Sequence, residues 1–252
     1  MIRRLIHNSL EIFGLDVIRL PRGRRRADDG YPPDFSDEEV DVIRKVRPWT
    51  KTSPERIYAL IQATRYVTDS DIPGAIVECG VWKGGSMAAV ARILMQVNDV
   101  SRDLYLFDTF EGMPEPGTKD FDFTGHHASR VLRKSPEMLC ADAPMEDVKC
   151  VMQETGYPKG RIHLVQGRVE ETIPGYAPDS IALLRLDTDW YESTRHELVH
   201  LFPRLSHRGV IIIDDYGHWE GCRRACDDYF EQNGVQVLLN RIDYTGRIAL
   251  KV

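Results

Sequence analysis

No stretch of this chain approaches the roughly 18 consecutive apolar residues that a membrane-spanning helix needs. The longest purely aliphatic run is Val210-Ile211-Ile212-Ile213, which suits a buried parallel strand. The N-terminus opens Met1-Ile2-Arg3-Arg4 but has neither a long apolar segment nor a small-residue cleavage site, which argues against a secretory signal. Cysteine is sparse: Cys79, Cys140, Cys150, Cys222 and Cys226 are an odd number, with no CxxC pair among them. That pattern supports neither a disulfide framework nor a zinc site, and reduced thiols in a cytoplasmic protein are the expectation. Neither GxGxxG nor GxxxxGK[ST] occurs, so the two commonest phosphate-binding fingerprints are missing. Excess positive charge is missing too: the net charge is −6, which argues against a general nucleic-acid binder. Internal repeats are absent, and the only low-complexity stretch is a short basic run.

The charge is unevenly placed, and this helps divide the chain. Residues 1–26 carry seven arginines against Glu11 and Asp16, which makes that arm +5 and leaves −11 for the rest. Within it Ile2, Leu5, Ile6, Leu10 and Phe13 recur at helical spacing, and the arm ends in Arg22-Gly23-Arg24-Arg25-Arg26. A basic amphipathic arm can touch the surface of a membrane or an acidic partner; the plainer reading is a packing extension with a solvated basic face. Residues 27–72 form an acidic linker and then a helical segment. One helix is expected over Asp37–Val46. A second follows Ser53, a good N-cap, with Pro54 in the first helical position and Ile57, Leu60, Ile61 and Thr64 on one face.

Residues 73–252 alternate strand and helix signals. Strands are expected at Ala75–Val81, Leu104–Phe107, Ile162–Gln166, Ile181–Leu186 and Val210–Asp214, with helices near Ser86–Met95, Tyr191–Phe202 and Gly221–Gln232. Two last strands, Val235–Leu239 and Arg247–Val252, close the chain without a long helix between them. Apolar strands joined by crossover helices imply a doubly wound, mostly parallel α/β sheet, here of seven strands with a helical N-terminal extension. The proline-containing stretch Gly112–Pro158 reads as an insertion over the strand ends, where such folds bind ligands.

The first strand runs into Glu78-Cys79-Gly80-Val81-Trp82-Lys83-Gly84-Gly85-Ser86. Glycines let a backbone approach a ligand, and helix N-terminal amides favour negative groups. Several nucleotide folds use such a turn, so it does not choose a cofactor by itself. Asp108 ends the second strand, where a carboxylate can accept hydrogen bonds from ribose hydroxyls. Gln166-Gly167-Arg168-Val169-Glu170 ends the third, a natural border for an adenine. Further on, Asp187-Thr188-Asp189 follows the fourth strand and Asp214-Asp215 the fifth. In a doubly wound sheet these neighbouring strand ends face one crevice. Four carboxylates there repel one another unless a cation or shared protons relieve them. Hard oxygen donors suit magnesium, with manganese or calcium next. The competing reading is local capping: Asp189 before a helix and Asp214-Asp215 in a turn.

Taken together, these segments resemble the macrocin O-methyltransferases and their relatives, which methylate sugars of macrolide and aminocoumarin antibiotics. The resemblance rests on Ile76–Ser86, on Phe107-Asp108-Thr109-Phe110-Glu111-Gly112-Met113-Pro114, on Arg185–Thr194 and on Gly209–Tyr216, and spans roughly residues 50–252. It implies a sheet of the class I methyltransferase type, S-adenosylmethionine, a divalent metal (Mg²⁺ or Mn²⁺) and a small-molecule, sugar-bearing acceptor. By motif, Glu78, Gly80, Gly84, Ser86, Asp108, Gly167 and Val169 correspond to cofactor-binding positions, Asp187, Asp214 and Asp215 to metal ligands, and Asp189 to the general base. The helix around Ser53–Tyr66 corresponds to a lid, and a homo-oligomer is expected. Methylation of a catechol or other vicinal diol, and a non-catalytic cofactor-binding scaffold, are the alternatives.

Overall fold

The computed structural model describes residues 30–134 and 143–252. The basic arm at 1–26 therefore lies outside the described residues, and Cys140 does too. Residues 36–252 form one compact unit.

Two helices precede the sheet. Helix α1 (Asp37–Val46) begins with a reciprocal capping box: Ser36 Oγ accepts from the Glu39 amide at 3.3 Å, and Glu39 Oε2 accepts from the Ser36 amide at 2.7 Å. Helix α2 (Pro54–Asp69) starts as its sequence indicates, with Ser53 Oγ accepting from the Arg56 amide at 3.2 Å and proline in the first turn. Glu39 joins the two helices, accepting from Gln62 and, at 2.8 Å, from Arg65.

The sheet follows, as β1 (Ala75–Cys79), β2 (Leu104–Asp108), β3 (Ile162–Gln166), β4 (Ile181–Leu186), β5 (Leu205–Ile213), β6 (Asn240–Arg241) and β7 (Arg247–Leu250). Its order is β3-β2-β1-β4-β5-β7-β6, parallel from β3 to β5, with β7 antiparallel to both neighbours. The crossovers include α3 (Gly85–Gln96), α4 (Ala128–Lys134), α5 (Met145–Gln153), α6 (Val169–Thr172), α7 (Tyr191–Leu201) and α8 (Glu220–Gln232). Alternate residues of the strands separate two faces. Val77, Cys79, Phe107, Leu184, Leu186, Ile211 and Ile213 share one core with Leu198 of α7 and Cys222, Cys226 and Phe230 of α8. The strand order reverses between β1 and β4, and the crevice at their C-terminal ends is where this fold places ligands.

Three places differ from the sequence expectation by more than a single residue. Strand β1 stops at Cys79, because Gly80 turns into the left-handed region (φ +83°) while its amide still bonds the Phe107 carbonyl. Strand β5 starts earlier, at Leu205, although His207 and Arg208 are exposed and look unlike a buried strand. The terminal pair is shorter than expected: residues 235–239 make no ladder, and β6 is only Asn240–Arg241, paired to Ile248 and Arg247 around a tight turn. Apolar alternation at Val235, Val237 and Leu239 marked a strand, whereas the edge ladder is set by where that turn reverses the chain. Among the described residues no helix is long and apolar enough to cross a membrane.

Candidate active site

A cavity of about 480 Å³ opens at the C-terminal ends of β1, β2, β4 and β5. One end of it is built by the turn from β1 into α3. Gly80 cannot carry a side chain: a Cβ there would strike the Asp187 carbonyl, so β1 and the loop after β4 touch backbone to backbone. Asp108 then fixes the turn. Its Oδ2 accepts from the amides of Val81 (2.6 Å) and Trp82 (2.9 Å), and its Oδ1 from the Phe110 amide (2.8 Å). A carboxylate offers about four acceptor positions, so a ribose hydroxyl can still be accommodated. Gly80, Ser86, Asp108, Gly167 and Val169 all line this cavity. Glu78 and Gly84 do not. Gly84 sits in the left-handed region at the start of α3, and Glu78 lies fully buried behind the wall.

Glu78 is held there by a buried cation. Register places Glu78 opposite Arg185 across the β1–β4 pair. Arg185 Nη1 donates to Glu78 Oε1 at 2.6 Å and to Asp187 Oδ2 at 2.8 Å, while Nη2 donates to Asp214 Oδ1 at 2.6 Å and to Thr52 Oγ1 at 2.9 Å. The second oxygen of Asp214 accepts from Arg56, whose Nε also bonds Asp243 Oδ2 at 3.0 Å. The sequence reading assigned neither arginine a role. Arg185 did leave a signal: a charged residue in a strand otherwise reading Ile-Ala-Leu-Leu requires a buried partner, and Glu78 is the matching anomaly in β1. Arg56 left none, since a first-turn helical arginine is ordinary until the helix is docked.

The four aspartates do meet. Asp187, Asp214 and Asp215 each offer an oxygen within 4.8 Å of the others, and Asp189 lines the same cavity. Asp189 has φ +67° and its Oδ1 accepts from Trp219 Nε1 at 2.7 Å. It is not a helix cap: Trp190 occupies the N-cap of α7, and the Tyr191 amide is taken by the buried Asp120 at 2.8 Å. Burial, reinforced by the charge of Asp187, pushes the Asp189 carboxyl up to about 7. Burial likewise pushes up Asp187 and Asp215, each with the other carboxylates adding to it, and raises Glu78 to about 7. Six acidic groups, Asp243 included, thus surround two guanidiniums. Asp215 Oδ2 is buried and has no hydrogen-bond partner among the described residues, and the same is true of Glu78 Oε2. An orphaned carboxylate oxygen beside two others, all hard donors, fits a hard divalent cation such as magnesium. Over the whole cavity nine acidic side chains face three basic ones, Lys51, Arg56 and Arg168. That field favours a ligand of positive charge.

The macrocin-O-methyltransferase (TylF) family model matches residues 44–250. A 4'-O-methyltransferase of Streptomyces olivaceus that acts on 8-demethyl-8-(2,3-dimethoxy-alpha-L-rhamnosyl)-tetracenomycin-C is 34% identical over 197 residues, 78% of this chain and 73% of that protein. The demethyldecarbamoylnovobiocin O-methyltransferase of Streptomyces niveus is 26% identical over 249 residues, 95% of this chain and 93% of that one. The solved structure of the O-methyltransferase NovP superposes with a TM-score of 0.72 at 27% identity, over 81% of this chain and 82% of that one.

Proposed function

The chain belongs to the macrocin O-methyltransferase family and is an S-adenosylmethionine-dependent O-methyltransferase; on that premise we propose that it methylates a hydroxyl of a sugar carried by a natural product, with a divalent cation assisting. The observation that carries this reading is the convergence of Asp187, Asp189, Asp214 and Asp215 on the cavity that the Gly80 turn also lines.

S-adenosylmethionine supplies the methyl group as an electrophile on a sulfonium, leaving a neutral thioether. Gly80, Ser86, Asp108, Gly167 and Val169 border the part of the cavity in which it is held, and Glu78 and Gly84 support that wall from behind. Asp187, Asp214 and Asp215 would hold the cation, magnesium or manganese, which when bound makes an acceptor hydroxyl easier to deprotonate. Asp189 takes the proton of that hydroxyl as its oxygen bonds to carbon. The Trp219 indole bonded to Asp189 orients the base, leaving the other carboxylate oxygen for the acceptor. Residues 50–52 and the first turn of helix α2 place Thr50, Lys51, Thr52 and Arg56 on the cavity wall, the position of a lid.

The test is Asp189→Asn. It should bind S-adenosylmethionine within about threefold of the wild type and lose at least about 100-fold in kcat, the range removed with a general base. Unimpaired turnover of glycosides in that variant, or after thorough chelation, would overturn the mechanism. Running catechols beside the glycosides decides between the two acceptor classes.

A further inference from the structure

Three aromatic side chains among the described residues are strongly exposed, and two of them, Phe123 at 57% and Tyr244 at 60%, stand at one rim of the cavity. They come from separate loops and converge on His218. The Phe123 and His218 rings are 5.5 Å apart at their centroids, the His218 and Tyr244 rings 6.0 Å, and His218 packs edge-on against Trp219 at 4.6 Å. His218, Trp219 and Tyr244 line the cavity, and Trp219 is the residue bonded to Asp189. The rim is thus continuous with the reacting end of the site.

Both loops are held in place. The Phe123 loop is closed by Asp122 Oδ1, which accepts from the amides of Thr124 and His126 at 2.9 Å each. It is stitched to the start of α8 by the Glu220 amide donating to the Phe121 carbonyl at 2.8 Å. The Tyr244 turn is held by Asp243 Oδ1, which accepts from the amides of Thr245 and Gly246, and by the Thr245 hydroxyl donating to the Asp214 carbonyl at 2.9 Å. Gly217 has no room for a Cβ against the Tyr244 carbonyl. Aromatic rings presented on such loops forgo their burial in the free protein, which is the arrangement of a preformed contact surface. Between them His218 Nε2 is buried without a hydrogen-bond partner among the described residues, while Nδ1 lies 3.3 Å from the Tyr244 hydroxyl.

The charge around this rim narrows the ligand. Asp122, Asp189, Asp215 and Asp243 surround it, Arg56 is engaged by Asp214 and Asp243, and Arg241 donates to the carbonyls of residues 243 and 244. A diphosphate would meet carboxylates here; an uncharged planar ring would meet aromatic faces.

We propose that Phe123, His218 and Tyr244 form an aglycone platform, which binds a neutral planar group attached to the acceptor sugar and selects such glycosides over nucleotide-diphosphate sugars. The proposal rests on the sugar-hydroxyl reading above and adds the part of the acceptor beyond the sugar. Phe123 and Tyr244 supply stacking faces, and the His218 ring packed between them ties the two together.

The experiment is calorimetry on the S-adenosylhomocysteine-loaded protein with 4-nitrophenyl α-L-rhamnoside, methyl α-L-rhamnoside and thymidine-diphosphate rhamnose, and turnover measured in parallel. The wild type should bind the aryl glycoside at least about tenfold tighter than either of the others. Phe123→Ala should lose most of that preference while keeping its affinity for the methyl glycoside and for S-adenosylhomocysteine, and Tyr244→Ala should lose the preference too. Equal affinities in the wild type, a preference surviving both substitutions, tightest binding of the diphosphate sugar, or no glycoside binding at all would overturn the platform. Phe123-dependent aryl binding without any methylation would uphold the platform and refute the sugar-hydroxyl reading. Methylation without aryl preference would do the reverse.

Discussion

Arg185 shows what one buried charge does for this site. It is 3% exposed, and its guanidinium bonds three carboxylates and a threonine hydroxyl. Replacing it with methionine leaves Glu78, Asp187 and Asp214 facing one another, and breaking a buried pair from one side typically costs roughly 3–5 kcal/mol. Arg185→Met is therefore expected to fall in that range by urea denaturation. Glu78→Gln should cost less, because burial pushes the Glu78 carboxyl up to about 7 and it carries only part of a charge near neutral pH. Glu197 is the complementary case. It lies fully buried on α7, with Oε1 accepting from Thr188 Oγ1 at 2.9 Å and Oε2 without a partner among the described residues, and burial raises its pKa well above the usual carboxylate range. The folded chain then holds a proton that the unfolded chain releases, so stability falls as pH rises from the ordinary carboxylate value toward the folded one. Glu197→Gln removes that dependence. Its melting temperature should exceed the wild type's at pH 8, with the gap closing toward pH 4.5; a gap that does not change with pH would refute a protonated Glu197.

Among the elements, the β1–α3 turn and the β4–α7 loop act as one piece. Gly80 is the contact between them, and two costs fall on it together: a positive φ and the Asp187 carbonyl against its Cα. Gly125 isolates the first cost, since it has φ +80° and nothing within 4 Å of a Cβ. Gly125→Ala should lose about 1–2 kcal/mol of stability, whereas Gly80→Ala should lose about 1–3 kcal/mol more through overpacking. The second variant should also bind S-adenosylmethionine poorly, since the turn must move; denaturation and calorimetry on both variants make the comparison. The start of α2 was legible in the sequence because capping is local: Ser53 acts three residues ahead of its target. The bounds of β6 were not, because a two-residue edge strand depends on β7 and on the turn between them. Neither was the pinning of α7, whose first amide is bonded by Asp120 from the insertion 71 residues earlier.

At the scale of the whole molecule, folding gathers like charges at the strand ends. A divalent cation that binds only the folded site should stabilise it by about 2.7 kcal/mol at a hundredfold excess over Kd. In a chain of this size that raises the melting temperature by roughly 5–10 °C. Thermal melts with magnesium or manganese should show this rise, EDTA should reverse it, and Asp215→Asn should abolish it while keeping the Arg185 network. No rise at saturating metal would leave Arg56 and Arg185 as the sole counter-charges of the cluster.

What the sequence determined by itself is whatever depends on neighbours along the chain: the alternation of strands and helices, the helix starts, the glycine turn, and the placing of Asp108, Asp187, Asp189, Asp214 and Asp215 at strand ends. Family resemblance turned those positions into a methyltransferase reading. Tertiary structure decided the partners. Glu78 faces Arg185 because β1 and β4 are adjacent, although 107 residues separate them; Arg56 reaches Asp214 because α2 docks over the crevice; and Phe123 and Tyr244 share one imidazole because two distant loops close on the same rim. The physical reason is range. Capping and turn geometry act within a few residues, whereas the pairing of buried charges and aromatic rings is set by sheet order and packing, which no local window contains.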